Sequence, residues 1–403
     1  MLKKSLTFWV VVMLSLGAPT AAVAGAAGSA REASKASSKT CKNLNTYAAA
    51  QRCIHLNQVK VIGSHNSYHL RGQDPFWSAF EAFVPDIART LDYTHPALAK
   101  QFSEQSVRQI ELDVVTDPKG GRFAEHKILK VVNLPTASTD KSLLKPGFKV
   151  LHVPEIDWET TCSTLRKCLT QVKSWSENNP GHAPIAILLE LKDDATPDPL
   201  NLDFVQPLAF TGRDLDALDA LIRSVFPSNK LITPDLVRGK RKTLDVAVTK
   251  DGWPTLEASR GKVMFLMDNE SGVRDLYLKG HKNLAGRAIF TSSSPGRPDA
   301  AFIKENDPTG ANTAKIQDLV QRGYVVRTRS DADTEQARTG DTTQRDLALS
   351  SGAQWVSTDY PTPADGARFG TGYFASIPGG TVARCNPVNG PVNCRSNLLE
   401  RLR

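Results

Sequence analysis

The chain has 403 residues, of which 40% are hydrophobic and 23% are charged. This balance excludes a globally disordered chain and suits either one large α/β barrel or two ordinary domains. The formal net charge of +8 favours contact with anionic surfaces such as acidic phospholipids, although solubility alone would also account for it. No long Lys/Arg run or basic helix occurs, so nucleic acid is not an expected partner.

The N-terminal segment has the pattern of an export signal. Lys3 and Lys4 precede an apolar run over 6–16, and small residues at 22–24 fit the A-x-A pattern of signal cleavage. We therefore expect a signal peptide over 1–24 and a secreted protein, with a periplasmic or cell-surface location as a variant. An uncleaved anchor is the alternative interpretation. Residues 25–40 are rich in Ala, Ser and Lys and predict a flexible leader before a single domain over 41–403.

Cysteine usage agrees with export to an oxidising compartment. The six cysteines form three close pairs along the sequence: Cys41 and Cys53, Cys162 and Cys168, Cys385 and Cys394. Spacing alone does not fix the connectivity, and bonding between near neighbours is the simplest prediction. A zinc site is the competing interpretation, but there is no C-x2-C pair and no histidine partner at zinc-finger spacing.

Short apolar or β-branched runs alternate with helical patterns along the rest of the chain. Strands are predicted at 59–63, 109–115, 149–152, 185–191, 262–267, 287–290, 324–328 and 355–357. Helices are predicted at 97–108, 161–178, 213–226, 314–322 and 344–351. Several strands are continuously apolar, as expected for parallel strands covered on both faces.

Eight strands with crossover helices predict a TIM-like (β/α)8 barrel. A doubly wound open sheet is the alternative, although no Gly-rich phosphate fingerprint opens any helix. The long connections at 116–148 and 193–260 are expected to build specificity rather than core. A Gly/Pro-rich tail begins near residue 361, and the Cys385/Cys394 pair is expected to pin it.

Polar residues stand at the carboxyl ends of the first four predicted strands, where a barrel of this kind places its active site. They are His65, Asn66, Glu111, Asp113, His152, Glu190 and Lys192. Glu111 and Asp113 are two residues apart on one strand and therefore face the same way. Each residue alone has a structural explanation, as a solvated strand face, a surface ion pair or a core histidine. Their joint placement favours a functional site.

Carboxylates inside apolar strands are costly unless something compensates their charge, and three crowded together repel one another. A divalent cation removes both problems. The all-oxygen ligand set of Asn66, Glu111, Asp113 and Glu190 suits a hard ion such as Ca2+ or Mg2+ rather than zinc. For a second histidine near this site, His152 follows a better strand than His126, whose surroundings read as a polar loop.

In four stretches the sequence resembles the bacterial and fungal Ca2+-dependent phosphoinositide-specific phospholipase C family. They are GSHNSYH at 63–69, ELDVVTDPKGGRF at 111–123, GFKVLHVPEIDWETTC at 147–162 and NPGHAPIAILLELKD at 179–193. The resemblance implies a catalytic barrel that cleaves phosphatidylinositol-type lipids to diacylglycerol and inositol phosphate, cyclic or linear. It also implies a transient membrane-surface contact by a monomer.

The resemblance further assigns residue roles. His65 and His152 match the two catalytic histidines, and Asn66, Glu111, Asp113 and Glu190 match the four Ca2+ ligands. In the reaction that this implies, a nearby carboxylate is expected to take the hydroxyl proton, with Glu111 as the candidate and Asp113 as the alternative. Lys192 is expected to contact the substrate phosphate. The residues that hold the inositol are not evident, with Arg327 and Arg329 as candidates.

Four other functions are alternatives to this one. A glycerophosphodiester phosphodiesterase shares the barrel, but that family opens with His-Arg-Gly where this chain has His65-Asn66-Ser67. A lipase of the sphingomyelinase D type is a variant of the same idea. A non-catalytic lipid- or sugar-binding barrel would be expected to lack at least one of the two histidines and four cation ligands. All six are present: His65, Asn66, Glu111, Asp113, His152 and Glu190. A Ser-His-Asp hydrolase is excluded because no G-x-S-x-G stands at a strand end.

Overall fold

The structure is a computed structural model that describes residue 41 and residues 43–401. The predicted signal peptide and leader lie outside the described residues. The strands, numbered β1 to β11 in chain order, are Val59–Ser64, Gln109–Val115, Lys149–Val150, Ile185–Leu191, Leu231–Ile232, Val263–Met267, Ile289–Thr291, Phe302–Lys304, Val325–Arg329, Trp355–Thr358 and Ala383–Cys385.

Eight of these strands form a parallel barrel, which confirms the predicted fold. Hydrogen-bonded neighbours run in the order β7, β6, β4, β2, β1, β10, β9 and β8. A parallel bridge between Ser292 and Phe302 joins β7 to β8 and closes the ring. Strand β6 is buried throughout, as its continuous apolar sequence requires when helices cover one face and barrel residues fill the other.

The predicted third strand at 149–152 was wrong as a barrel strand. Only β3 forms there, and it pairs antiparallel with β2 through the Val114–Val150 and Val115–Lys149 pairs. The eighth barrel strand is instead β8, a three-residue segment that the sequence prediction missed. The predicted number of barrel strands was therefore right, and seven of the eight predicted strands belong to the barrel.

The helices cover the outside of the barrel, and all five predicted helices are present within a few residues of their predicted bounds. They span Tyr47–Cys53, Phe76–Phe83, Pro85–Thr90, Leu98–Glu104, Leu165–Asn178, Gly212–Val225, Pro234–Arg238, Leu244–Lys250, Leu256–Ser259, Val273–Leu278, Asn312–Gln321, Glu335–Thr339 and Thr343–Ser350. In Leu165–Asn178 the Thr164 side chain caps the first turn, and Leu165, Leu169 and Val172 form the buried stripe. No helix among the described residues is long and apolar enough to cross a bilayer.

Four inserted segments meet at one apolar cluster beside the barrel. It contains Phe76 from the connection between β1 and β2, Ile128 from the short turns of 116–148, Phe204 from the connection after β4, and Ile156 and Trp158 from the segment after β3. We call it the insertion cluster. Connections that follow parallel barrel strands lie at the carboxyl end, so these insertions build on the face that carries the polar strand ends.

Disulfides join Cys41 to Cys53, Cys162 to Cys168 and Cys385 to Cys394, as predicted. All six cysteines are therefore used in these three disulfides, and the zinc interpretation is wrong. The third bond closes a loop in the tail, where β11 pairs antiparallel with the first half of β1. The tail is thus part of the sheet rather than a loose extension.

The tail also buries an ion pair under the barrel. The Arg108 and Glu400 side chains are 0% and 1% exposed, and Arg108 Nε lies 3.1 Å from Glu400 Oε2. The same carboxylate accepts a hydrogen bond from the Ala183 amide. We expect Glu400→Ala to lower the free energy of unfolding by about 3 kcal/mol, because it leaves the Arg108 charge buried without a partner.

Urea unfolding measures this effect. Glu400→Gln keeps an acceptor for the Ala183 amide and removes only the charge, so it should lose less stability than Glu400→Ala. Equal stability of wild type and Glu400→Ala would contradict this account of the tail.

Candidate active site

Three carboxylates from neighbouring strands converge at the carboxyl end of the barrel. Asp113 on β2 and Glu190 on β4 are direct partners in the strand register, and Glu111 lies two residues earlier on the same face as Asp113. One oxygen from each of Glu111, Asp113 and Glu190 lies within 4.8 Å of the others. We refer to them as the acidic triad.

Asn66 is held beside the triad by the turn that follows β1. Its backbone has a left-handed φ of 42°, and the next residue, Ser67, exchanges hydrogen bonds with the Glu111 main chain. The Asn66 Nδ2 group donates to the Tyr93 hydroxyl at 3.0 Å, which fixes the amide orientation. The Oδ1 atom is buried and accepts no hydrogen bond from the described residues.

The protein itself balances only part of the negative charge of the triad. Asp113 is 0% exposed, and neither of its oxygens accepts a hydrogen bond from the part of the chain that the structure describes. Lys192 Nζ lies 3.3 Å from Asp113 Oδ2 and 3.6 Å from Glu190 Oε1, so one ammonium faces two acids. Burial raises the pKa of Asp113 well above its usual range, against the opposing charge of Lys192.

A hard cation fits this arrangement. Buried polar atoms are almost always hydrogen-bonded or bound to an ion, and three buried oxygens of Asn66 and Asp113 accept no hydrogen bond from the residues that the structure describes. Together with Glu111 and Glu190 they form an all-oxygen ligand set with three formal negative charges, the chemistry that Ca2+ prefers.

His65 lies directly after β1 and is held by a carboxylate from β10. Its Nδ1 is 2.9 Å from Asp359 Oδ1, and its Nε2 is 3.3 Å from Arg329 Nη1 at the end of β9. Burial, together with the Arg329 charge and against the pull of Asp359, lowers the pKa of His65 to about 3. The neutral ring therefore donates from Nδ1 to Asp359 and accepts at Nε2.

His152 has a parallel arrangement on the segment after β3. Its Nδ1 is 2.7 Å from Asp157 Oδ2, and the other nitrogen makes no hydrogen bond with the described residues. Burial lowers the pKa of His152 although Asp157 partly opposes it. Asp157 also accepts from the buried His69 Nε2 at 2.9 Å, so one carboxylate holds two imidazoles.

The two imidazole sites lie on one rim of the barrel. Tyr93 stacks on His69 at 4.2 Å between ring centroids, lies 6.2 Å from His65 by the same measure, and bonds Asn66. His69 in turn lies 6.3 Å from His152. The predicted site residues His65, Asn66, His152 and the triad are thus brought together around Tyr93.

The structure does not support a direct substrate contact by Arg327. Its side chain is 1% exposed, and its guanidinium donates to Ser357, to Asn306 and to Glu111. Arg329 has the more accessible guanidinium, with 14% of its side chain exposed beside His65. The alternation of side chains along β9 puts both arginines on the inner face, but the one nearer the strand end reaches the opening. Lys192 is 18% exposed and does face the site.

Sequence reasoning missed the two carboxylates that orient the histidines. Asp359 directly follows β10, so the rule that finds polar residues at barrel strand ends identifies it once it is applied to the last strand as well as to the first four. Asp157 lies within the quoted 147–162 stretch, but only the turn after β3 brings it back to His152. His126 instead stacks on Trp158 at 4.4 Å and belongs to the wall of a side pocket.

A family model and several solved structures match this chain. The family model for Ca2+-dependent phosphoinositide phospholipase C matches residues 54–387. A solved Ca2+-dependent phosphoinositol-specific phospholipase C from the Gram-negative bacterium Pseudomonas sp is 17% identical, covering 83% of this chain and 96% of that one, with a TM-score of 0.48. The Ca2+-dependent enzyme from Streptomyces antibioticus is 17% identical, covering 76% and 95%, with the same TM-score. No curated sequence matches the chain.

The family match spans the barrel and every residue of the site described above. The acidic triad is a group of carboxylates that could hold a metal ion. The chain therefore belongs to the Ca2+-dependent phosphoinositide phospholipase C family, a group of phosphoric diester hydrolases that use Ca2+ as cofactor.

Proposed function

We propose that this enzyme cleaves phosphatidylinositol-type lipids to diacylglycerol and an inositol phosphate, first in its cyclic form and then in its linear form. The observation that carries the proposal is the pairing of one cation site with two histidines, each of which has its Nδ1 on a buried carboxylate. Such a pair can act on both sides of one phosphorus atom. The family match supports this function over a glycerophosphodiester phosphodiesterase or a non-catalytic barrel.

We assign the four cation ligands to Asn66, Glu111, Asp113 and Glu190. Ca2+ bound there would lower the pKa of the attacking inositol hydroxyl and offset the negative charge of the phosphate. Glu111 is the base that takes the hydroxyl proton. Without a bound cation, burial raises the pKa of Glu111 to about 7, against the charge of Arg327. Ca2+ held by the same carboxylate would lower that pKa. Arg327 bonds only one Glu111 oxygen and leaves the other to face the cation and the attacking hydroxyl.

His65 acts on the phosphoryl oxygens. A bound phosphodiester brings negative charge next to Arg329 and His65, which offsets the repulsion between them and favours protonation of the imidazole. The ring then donates from Nε2 to the phosphoryl oxygen as charge develops there, while Asp359 keeps its orientation. Lys192 and Arg329 are the cations placed to contact the same phosphate.

His152 is the acid for the leaving group. Asp157 holds Nδ1 and directs Nε2 toward the opening, so a protonated ring can deliver its proton to the diacylglycerol oxygen as the P–O bond breaks. The cyclic diester is then opened by water along the reverse route. His152, left neutral by the first step, takes a proton from the attacking water, and Glu111 returns a proton to the departing inositol oxygen.

Asp157 should set the pH range in which His152 works. Burial lowers the pKa of His152, and the charges of Lys192 and His69 lower it as well. The hydrogen bond from His152 to Asp157 and the charge of Asp157 both raise it. In Asp157→Asn that support is lost, the pKa of His152 falls further, and the protonated fraction is lost at lower pH. We expect the alkaline limb of the rate profile to move to lower pH.

Initial rates between pH 4 and 9 measure this shift. Asp219→Asn, a change in a buried carboxylate on the outer helix Gly212–Val225, is the matched control and should leave the limb in place. A limb that is unchanged in Asp157→Asn would contradict the assignment of His152 as the acid.

We further propose that the enzyme is secreted and acts as a monomer at a membrane surface. Three disulfides favour folding in an oxidising compartment, and every candidate site residue comes from one chain. The direct test of function is phosphatidylinositol hydrolysis with Ca2+, with Mg2+ and with a chelator, beside glycerophosphoinositol. Turnover that needs Ca2+ and the intact lipid supports the proposal, and equal turnover in chelator contradicts it.

A further inference from the structure

A cavity of about 360 Å3 lies among the insertions, and neither the acidic triad nor the two histidines assigned to catalysis line it. Its walls come from 73–76, 123–143 and 150–163. The large aromatic side chains in these walls are Phe76, Phe123 and Trp158. A volume of this size can hold a small molecule, and apolar walls with a few polar groups are typical of such sites. We call this cavity the side pocket.

The charged residues that line the side pocket are all acidic. They are Asp74, Asp140 and Glu159, and no lysine or arginine is among the lining residues. The chain as a whole has a net charge of +8, so the pocket has the opposite sign to the protein around it. Its charge disfavours a phosphate or a carboxylate as ligand and favours a cation.

Glu159 is the acid that lacks a compensating charge. Its carboxyl is half-buried, and burial together with the charge of Asp157 raises its pKa, with no cation among the described residues opposing them. Asp74 and Asp140 differ, because each accepts a hydrogen bond from a main-chain amide close by in sequence. A half-buried carboxylate in the state of Glu159 is stabilised by a cation placed beside it.

His126 is a second polar group without a partner in the same pocket. It is 6% exposed, and its ring stacks on Trp158 at 4.4 Å between ring centroids. Burial lowers the pKa of His126 to about 4, and no acid or hydrogen-bond partner among the described residues opposes this effect. The ring is therefore neutral near neutral pH and has one nitrogen free to accept a hydrogen bond. Buried polar groups are rarely left in this state.

A primary ammonium ion satisfies both groups. It has a positive charge for Glu159 and N–H donors for His126, and an attached alkyl chain can lie against the aromatic walls. A metal ion fits less well, because among the described residues only the acidic triad brings three potential metal ligands together. A quaternary ammonium has no N–H to give to the imidazole, and a neutral sugar would leave the charge of Glu159 unbalanced.

We propose that the side pocket binds a small aliphatic primary amine, whose ammonium group bonds Glu159 and His126. This site goes beyond the proposed phosphodiesterase reaction and does not depend on it. The expected ligand is a free amine rather than the ethanolamine headgroup of a lipid, because a headgroup phosphate would bring negative charge to a pocket lined by acids.

Titration of the full chain with n-butylamine tests the proposal without catalysis. It is run in excess Ca2+, so that binding of the amine to the acidic triad is suppressed. We expect one amine per chain and a change in the NMR shifts of the His126 ring. Glu159→Gln should weaken binding about tenfold, the factor for losing one charged hydrogen bond. Glu177→Gln, at an exposed acid on the helix Leu165–Asn178, is the matched control and should bind like wild type.

Each outcome decides the proposal. No binding by wild type, equal binding by Glu159→Gln, or unchanged His126 shifts would overturn it. So would myo-inositol or tetramethylammonium binding as well as the amine. Glycerophosphoethanolamine should bind more weakly than n-butylamine, and the reverse order would assign the pocket to a lipid headgroup instead. The ligand comparison and the His126 shifts are measured on wild type, so they decide even if Glu159→Gln does not fold. None of these measurements involves turnover, so their failure would leave the proposed function untouched.

Discussion

His152→Ala is expected to lose about 10²- to 10⁴-fold in phosphatidylinositol turnover while it binds Ca2+ like wild type. The imidazole touches none of the four proposed cation ligands, and its Nδ1 is engaged by Asp157 alone. The loss should depend on the leaving group. An alkoxide such as diacylglycerol needs a proton, whereas a nitrophenolate leaves without one, so a nitrophenyl inositol phosphodiester should be cleaved nearly as well by the variant.

The measurement compares initial rates on the two substrates with Ca2+ affinity from titration calorimetry. His126→Ala is the matched control, because His126 lies in a neighbouring insertion and stacks on Trp158 without an acidic partner. Equal losses on both substrates would remove His152 from the role of acid, and full turnover on phosphatidylinositol would do so at once.

Asp113→Asn is expected to have opposite effects on activity and on the stability of the metal-free protein. Activity should fall more than about 100-fold, since even outer partners of metal ligands typically contribute 10- to 100-fold. In chelator the variant should be more stable than wild type, because it removes a buried carboxylate that accepts no hydrogen bond from the described residues. Wild type should regain its advantage in Ca2+, by about 2.7 kcal/mol at a hundredfold excess over Kd.

The pH dependence of folding stability in chelator is a second test of the buried Asp113 carboxyl. Burial raises the pKa of Asp113, so the folded protein binds its proton more tightly than the unfolded chain does. This contribution stabilises below the unfolded-state pKa and is lost as pH rises through the raised value. Thermal unfolding measured from pH 4 to 8 should therefore show that stability falls less with rising pH in Asp113→Asn than in wild type.

A control separates the triad from other buried acids. Asp219 is also buried, but Tyr277, Arg287 and the Ala288 amide all donate to it. Asp219→Asn should lower stability by about 1–3 kcal/mol with and without Ca2+, and its Ca2+ response should remain. If Asp113→Asn behaved the same way, the triad would be an ordinary buried network rather than a cation site.

Most of the barrel could be predicted from the sequence because long apolar runs and capped helices leave strong periodic signals. The run at 149–152 misled because an apolar segment carries no mark of its direction, and only pairing with β2 fixes it as antiparallel. Strand β8 was missed because Phe302–Lys304 is too short to form a pattern by itself. Its place is set by neighbours on both sides rather than by its own residues.

The residues of the candidate site also differ in how far the sequence predicts their positions. The triad, Asn66 and His65 stand on or directly after barrel strands, so their meeting follows from the fold. Asp157 and Arg329 could not be assigned in this way. Asp157 depends on a turn within an insertion, and the choice between Arg327 and Arg329 depends on depth along β9, which only the strand register gives.

The location of His152 outside the barrel ring divides the machinery into two separately supported parts. The cation ligands and His65 stand on or directly after strands that the whole barrel holds in register, whereas His152 and Asp157 stand on a segment anchored by β3, the insertion cluster and the nearby Cys162–Cys168 bond. Exchange of that segment between related enzymes could therefore alter which alcohol departs while leaving nucleophile activation intact. Selection can thus act on leaving-group preference and on calcium affinity through largely different sets of residues.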